Sequence, residues 1–162
     1  MSISTLHDIE STWEKETYKG NQFYNTSSFN KAAEHYMKAM LTSELLLENT
    51  AFAWQHAVPV PKLYYTACIN LANSYRKAGD NKNAADYFLY CTFKIKQIAD
   101  DSSLNKDIQE TAVLYWRKAV SEFTNFQKEE GLQLPVDIAK DETYHQIEKL
   151  KALFDDSKKN LN

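Results

Sequence analysis

The chain has 162 residues, 43% hydrophobic and 25% charged, with 3 glycines, 3 prolines and 2 cysteines. That length suits one domain over residues 1–162, and so few glycines disfavour phosphate loops, tight hairpins and doubly wound nucleotide folds, which draw on positive φ. A net charge of −3 gives no general attraction to nucleic acid or to anionic lipid.

Punctuation divides the chain into six long segments of helical character, so the expected fold is all-α. The first runs from about Thr5 to Asn25, with Thr5 and Asp8 at capping-box spacing. After the turn cluster Asn25-Thr-Ser-Ser28, a second reaches about Glu48. An apolar connector with two prolines, Asn49 to Pro61, leads to a third segment from Lys62 to Ala78. Gly79-Asp80 stops it, and Asp80 serves as N-cap for a fourth, which ends near Asp100. A fifth spans about Leu104 to Glu130, and a sixth opens near Pro135 and continues to about Asp156. Ile108, Ala112, Tyr115, Ala119, Phe123 and Phe126 follow helical spacing in the fifth, as do Tyr144, Ile147, Leu150 and Phe154 in the sixth. Val113, Leu114, Trp116 and Val120 lie off the first of these stripes, so the fifth helix should be covered on more than one face. The polar end, Ser157 to Asn162, is expected to fray.

The start, Met1 to Glu10, lacks the basic residues and apolar core of a secretory signal. No uncharged apolar run approaches the roughly 18 residues that span a bilayer. Cys68 and Cys91 lie outside any CxxC motif and read as reduced thiols. A cytoplasmic location with no membrane partner is the expectation.

An internal repeat is present. From Gly20, fixed steps collect Phe23, Ala32, Tyr36 and Ala39; from Ala72 the same steps collect Tyr75, Ala84, Phe88 and Cys91. Each set reads small, aromatic, small, aromatic, small, the pattern of a helix–turn–helix unit whose small residues allow close helix approach. The second copy, Asn70-Leu-Ala-Asn-Ser-Tyr-Arg-Lys-Ala-Gly-Asp80 and Asn81-Lys-Asn-Ala-Ala-Asp-Tyr-Phe-Leu-Tyr-Cys91, closely resembles the tetratricopeptide repeat. The first resembles it with Phe29 at an aromatic position and Ser27 in place of the turn glycine. A degenerate third unit places Trp116, Ala119 and Phe123 on first-helix positions, but Gly131 comes about one helical turn late. The resemblance covers residues 12–94 by pattern and 105–156 by architecture. It implies three stacked antiparallel hairpins in a right-handed superhelix, with Ala72, Ala84 and Cys91 buried.

Gly20 and Ala72 stand 52 positions apart, where a regular array of this type repeats about every 34 residues. The surplus falls in a longer second helix and the connector, which is expected to be a packed cover, with a binding element as the alternative.

Catalytic constellations are scarce. His7, His35, His56 and His145 are widely separated and have no His or Cys partner at i+3 or i+4, so no metal site is expected. The two cysteines fall on inward repeat positions and read as packing. Asp100-Asp101 and Asp155-Asp156 read as solvated acids. No GxSxG, Walker loop or HExxH occurs, and neither enzyme activity nor a cofactor is expected.

The repeat resemblance implies a concave groove lined by first helices and holding an extended peptide. Carried over by position, that face comprises Thr17, Asn21, Tyr24 and Asn25, then Thr66, Ile69, Asn70, Asn73, Arg76 and Lys77, then Arg117, Lys118, Ser121 and Asn125. Asparagine amides pair with a peptide backbone, and Arg or Lys binds a carboxylate. Asn21, Tyr24, Asn70, Asn73, Arg76, Lys77, Arg117 and Lys118 are the expected peptide-binding set. Some family members clamp a C-terminal carboxylate. Asn21 and Asn70 match that clamp and Lys118 approximates it, whereas Thr17 and Leu114 replace its lysines. The expected function is a non-catalytic adaptor for a protein or peptide partner with an acidic segment or terminal carboxylate, and no nucleic-acid role. The alternatives are a self-assembling component, dimeric through Phe52 and Trp54 or the fifth helix, and a small dedicated chaperone.

Overall fold

The computed structural model describes residues 1–131; the expected sixth segment, Pro135 to Asp156, lies outside the described residues. The described part is built of helices: α1 (Ile3–Asn25), α2 (Phe29–Glu44), a 3₁₀ turn (Leu47–Asn49), α3 (Thr50–Gln55), α4 (Val60–Lys77), α5 (Asn81–Asp100) and α6 (Lys106–Glu129). The fold is all-α and packed as hairpins. α1 pairs with α2, α2 with α4, α4 with α5 and α5 with α6, while α4 also touches α6.

Local chemistry sets the helix ends. α1 begins earlier than the Thr5–Asp8 spacing implies, because the Ser2 hydroxyl accepts from the Thr5 N–H and so occupies the N-cap. Asp80 and Asn105 cap α5 and α6 in the same way, accepting from the Asn83 and Ile108 N–H groups. α2 stops at Glu44, short of the expected Glu48, and the chain turns through the 3₁₀ segment into α3.

The repeat is visible in the backbone. In the first hairpin, the N–H of Ser27 donates to Tyr24 C=O and that of Ser28 to Phe23 C=O. In the second, Gly79 donates to Arg76 and Asp80 to Tyr75, the same bonds 52 residues on. Ser27 holds φ 59° and Gly79 φ 84°, the left-handed turn that lets each helix close its last carbonyls. Ring packing repeats as well. Phe23 stacks on His35 at 5.3 Å and 8°, and Tyr75 on the equivalent Tyr87 at 5.7 Å and 9°.

Ala32, Ala39, Ala72, Ala84 and Cys91 are fully buried, as the small positions of the repeat require. At Gly20 the approach is closest: an added Cβ would lie 2.5 Å from the Tyr36 ring. Ala84→Leu is expected to cost about 1–3 kcal/mol by overpacking, read as a lower denaturation midpoint at unchanged slope. An unchanged midpoint would show spare volume where the repeat demands contact.

The connector is a packed cover. Leu46, Ala53 and Val58 form a second small core with Leu6 and Ile9 of α1 and Val60 and Leu63 of α4, flanked by Trp13, Leu47 and Phe52. It ties the start of α1 to the start of α4. α1 and α4 thus start at the same end of the stack, with α2 running back between them.

Candidate functional site

α4 presents two stripes of different character. Tyr65, Ile69 and Arg76 turn towards α6. Tyr65 lies 5.3 Å from the Tyr115 ring, Ile69 is buried, and the Arg76 guanidinium is paired with both Glu129 and Glu130. Asn81 of α5 also donates to Glu130 Oε2 at 2.9 Å. Two acids at the C-terminus of α6 oppose the helix dipole, and Arg76 offsets that repulsion while tying α4 to α6, with Asn81 adding α5.

This corrects the expectation that Arg76 is an open groove cation. It is half-buried and engaged within the fold, and Ile69 likewise belongs to the core. Sequence reading missed Glu129 and Glu130 because their partner is 53 and 54 residues away, beyond any helical spacing.

The other stripe remains accessible. Thr66, Asn70 and Asn73 are half-buried and Lys77 is exposed. They recur at intervals of three and four, so they share one helical face. On α6, Leu114, Arg117, Lys118, Ser121 and Asn125 are exposed, with Lys118 Nζ 5.1 Å from the Tyr115 ring centroid.

α1 contributes differently from expectation. Asn21 is exposed, but its Oδ1 accepts from the Tyr36 hydroxyl at 2.6 Å, which leaves the amide NH₂ for a ligand. Burial pushes the Tyr36 hydroxyl up to about 12, so it stays a donor. Tyr24 is half-buried, edge-on to Phe29 at 5.3 Å. Asn70, Asn73 and Lys77 thus share one face of α4, and Arg117 and Lys118 are exposed on α6. Asn21 and Tyr24 sit in the other hairpin, beyond α2.

Glu16 and His35 join α1 to α2, with Nδ1–H donating to Oε2 at 2.6 Å. This bond, helped by the nearby positive charges, holds the Glu16 carboxyl below its ordinary 4.5 against the opposing effect of burial. A carboxylate depressed in the folded state stabilises fully above the unfolded value and loses that contribution as pH falls through the folded one. Glu16→Gln is expected to flatten the fall in melting temperature below about pH 4.5. An acid limb identical to that of the parent chain would exclude a role for this pair.

Cys68 and Cys91 are fully buried, and desolvation drives the Cys91 thiol well up, which suppresses thiolate chemistry. Among the described residues no three His, Cys, Asp or Glu side chains gather as a metal set, and no helix is long and apolar enough to cross a membrane.

A cleft of about 430 Å³ opens on α2, lined by Asn30, Ala33, Glu34, Met37 and Lys38 with Tyr75 of α4. It lies outside the expected peptide set, and its residues are separated in sequence by the connector.

These features define an all-α protein of repeated helical hairpins with a polar stripe on α4 and α6. The family model described as "Protein of unknown function (DUF2753)" matches residues 11–151, and the chain belongs to that family. No curated protein and no solved structure matches it.

Proposed function

We propose that the chain is a non-catalytic, tetratricopeptide-like interaction module that binds an extended peptide across α4 and α6. The observation that carries this reading is the stripe Thr66–Asn70–Asn73–Lys77, polar and solvent-accessible on a helix whose remaining faces are packed. Asn70 and Asn73 offer paired amide donors and acceptors to a peptide backbone, and Lys77 and Lys118 favour an acidic side chain or terminal carboxylate. The repeated turn and ring geometry of the two hairpins supports the family likeness. A cytoplasmic setting accords with the buried, reduced thiols.

The test is selection from a displayed peptide library with free C-termini, followed by affinity measurement on the enriched sequences. Acidic or carboxylate-terminated peptides are expected to be enriched. Asn73→Ala with Lys77→Glu should weaken them at least about tenfold, roughly 1.4 kcal/mol, while the fold is retained. Arg76 is left intact because its reversal would break the tie to α6. Enriched peptides that bind the folded double variant undiminished would move the site off this stripe.

A further inference from the structure

The left-handed turn residues Ser27, Gly79 and Gly131, with φ of 59°, 84° and 66°, fall at equal intervals of 52 residues. Gly131, a turn late against the tetratricopeptide pattern, is thus in register with this longer period. Aligned on the turns, residues 1–27, 53–79 and 105–131 carry the same residue in all three at one position: Asn21, Asn73 and Asn125. These lie on α1, α4 and α6, the helices that lead into the turns. Asn21 and Asn125 are exposed and Asn73 is half-buried. The turn bonds and ring stacks shared by the first two hairpins set Asn21 and Asn73 on the same side of each.

The three amides have bonding capacity to spare. Asn21 Oδ1 accepts from the Tyr36 hydroxyl, which leaves its NH₂ group. The counterpart of Tyr36 in the second hairpin is Phe88, which has no hydroxyl. Asn73 and Asn125 make no side-chain hydrogen bond to another described residue. Asparagine is also a weaker helix former than alanine, glutamate or lysine, so its recurrence inside three helices works against helix propensity.

We propose that Asn21, Asn73 and Asn125 form a ladder across the hairpins that binds the backbone of an extended polypeptide running from α1 over α4 to α6. This rests on the reading that a peptide occupies this face, and it adds α1 to the contact. A row of identical amides suits a ligand that repeats one amide group along its length. A nucleic acid repeats a phosphate instead, and the row holds no cation to meet it. α4 touches α6, so those two rungs stand about 10 Å apart, while α2 bridges α1 and α4 over at most about 20 Å. At about 3.3 Å per extended residue, the ladder spans roughly six to nine residues.

The probe is the most enriched peptide of about nine residues from a displayed random library, matched to the upper span of the ladder. Asn125→Ala should weaken it about three- to tenfold at unchanged melting temperature, since Asn125 is exposed and holds nothing in the fold. Asn21→Ala is made in a Tyr36→Phe background, where no hydroxyl loses its acceptor, and should weaken the peptide by a similar factor relative to that background. Esters placed one at a time in the peptide remove single backbone donors. One of them should weaken binding to the parent chain yet cost the Asn125→Ala variant nothing further. Trimming the peptide to about five residues should cost at least about tenfold, because it no longer reaches every rung. Parent-like binding by the folded Asn21 and Asn125 variants overturns the ladder, as does an ester series that never couples to Asn125. If Asn73→Ala with Lys77→Glu still weakens the same peptide in that event, the α4 stripe stands without the ladder. A library that yields no binder overturns both readings.

Discussion

Phe88→Ala is expected to destabilise the chain by about 3–5 kcal/mol, seen as a fall in melting temperature on the order of 10 °C. Phe88 is 1% exposed and its ring packs 4.9 Å from Phe126, so it joins the second hairpin to α6. Truncation removes transfer energy and leaves a cavity that the flanking helices, held by Ala84 and Cys91, have little freedom to collapse. Phe88→Leu should recover most of the loss, because the volume is largely restored. Tyr90, exposed on the same helix, supplies the control: Tyr90→Ala should change stability by less than about 0.5 kcal/mol. A loss below about 1 kcal/mol for Phe88→Ala would mean that α6 does not share the repeat core.

Leu46→Ala is expected to cost about 2–5 kcal/mol. Leu46 has no exposed surface and anchors the connector against Leu6, Ile9 and Leu63. Its loss should loosen α1 relative to α4, and amide exchange should quicken in the first turns of both helices before the α5–α6 pair responds. Phe52→Ala should cost less, since Phe52 is half-buried at the edge of that small core. If Leu46→Ala left stability unchanged but altered binding of a selected peptide, the connector would be a binding element instead of a cover.

The helices were legible because their periodicity is local. The turn at Gly79-Asp80 was legible because glycine and an N-cap acid each have one dominant use there. The first turn was recognisable only by analogy, since Ser27 adopts a positive φ without the residue that usually announces it. The start of α1 was misplaced because Ser2 and Thr5 are both good caps, and spacing alone does not choose between them. The short α3 was hidden in a proline-bearing stretch, where burial against α1 and α4 outweighs weak local propensity.

The candidate site was half legible. Asn70, Asn73 and Lys77 fall on an accessible face of α4, as their repeat positions imply. Arg76 does not, because its carboxylate partners lie on α6. Long-range ion pairs leave no periodic trace in a sequence.

By itself, the sequence determined the all-α class, the hairpin repeat and the small buried positions, since each follows from helical period and side-chain volume within one or two turns. Tertiary structure alone decided which cation stays open, how the connector wedges between α1 and α4, and that Tyr75 completes a cleft on α2. Those depend on contacts between residues tens of positions apart, which are set by how the hairpins pack and not by any local preference.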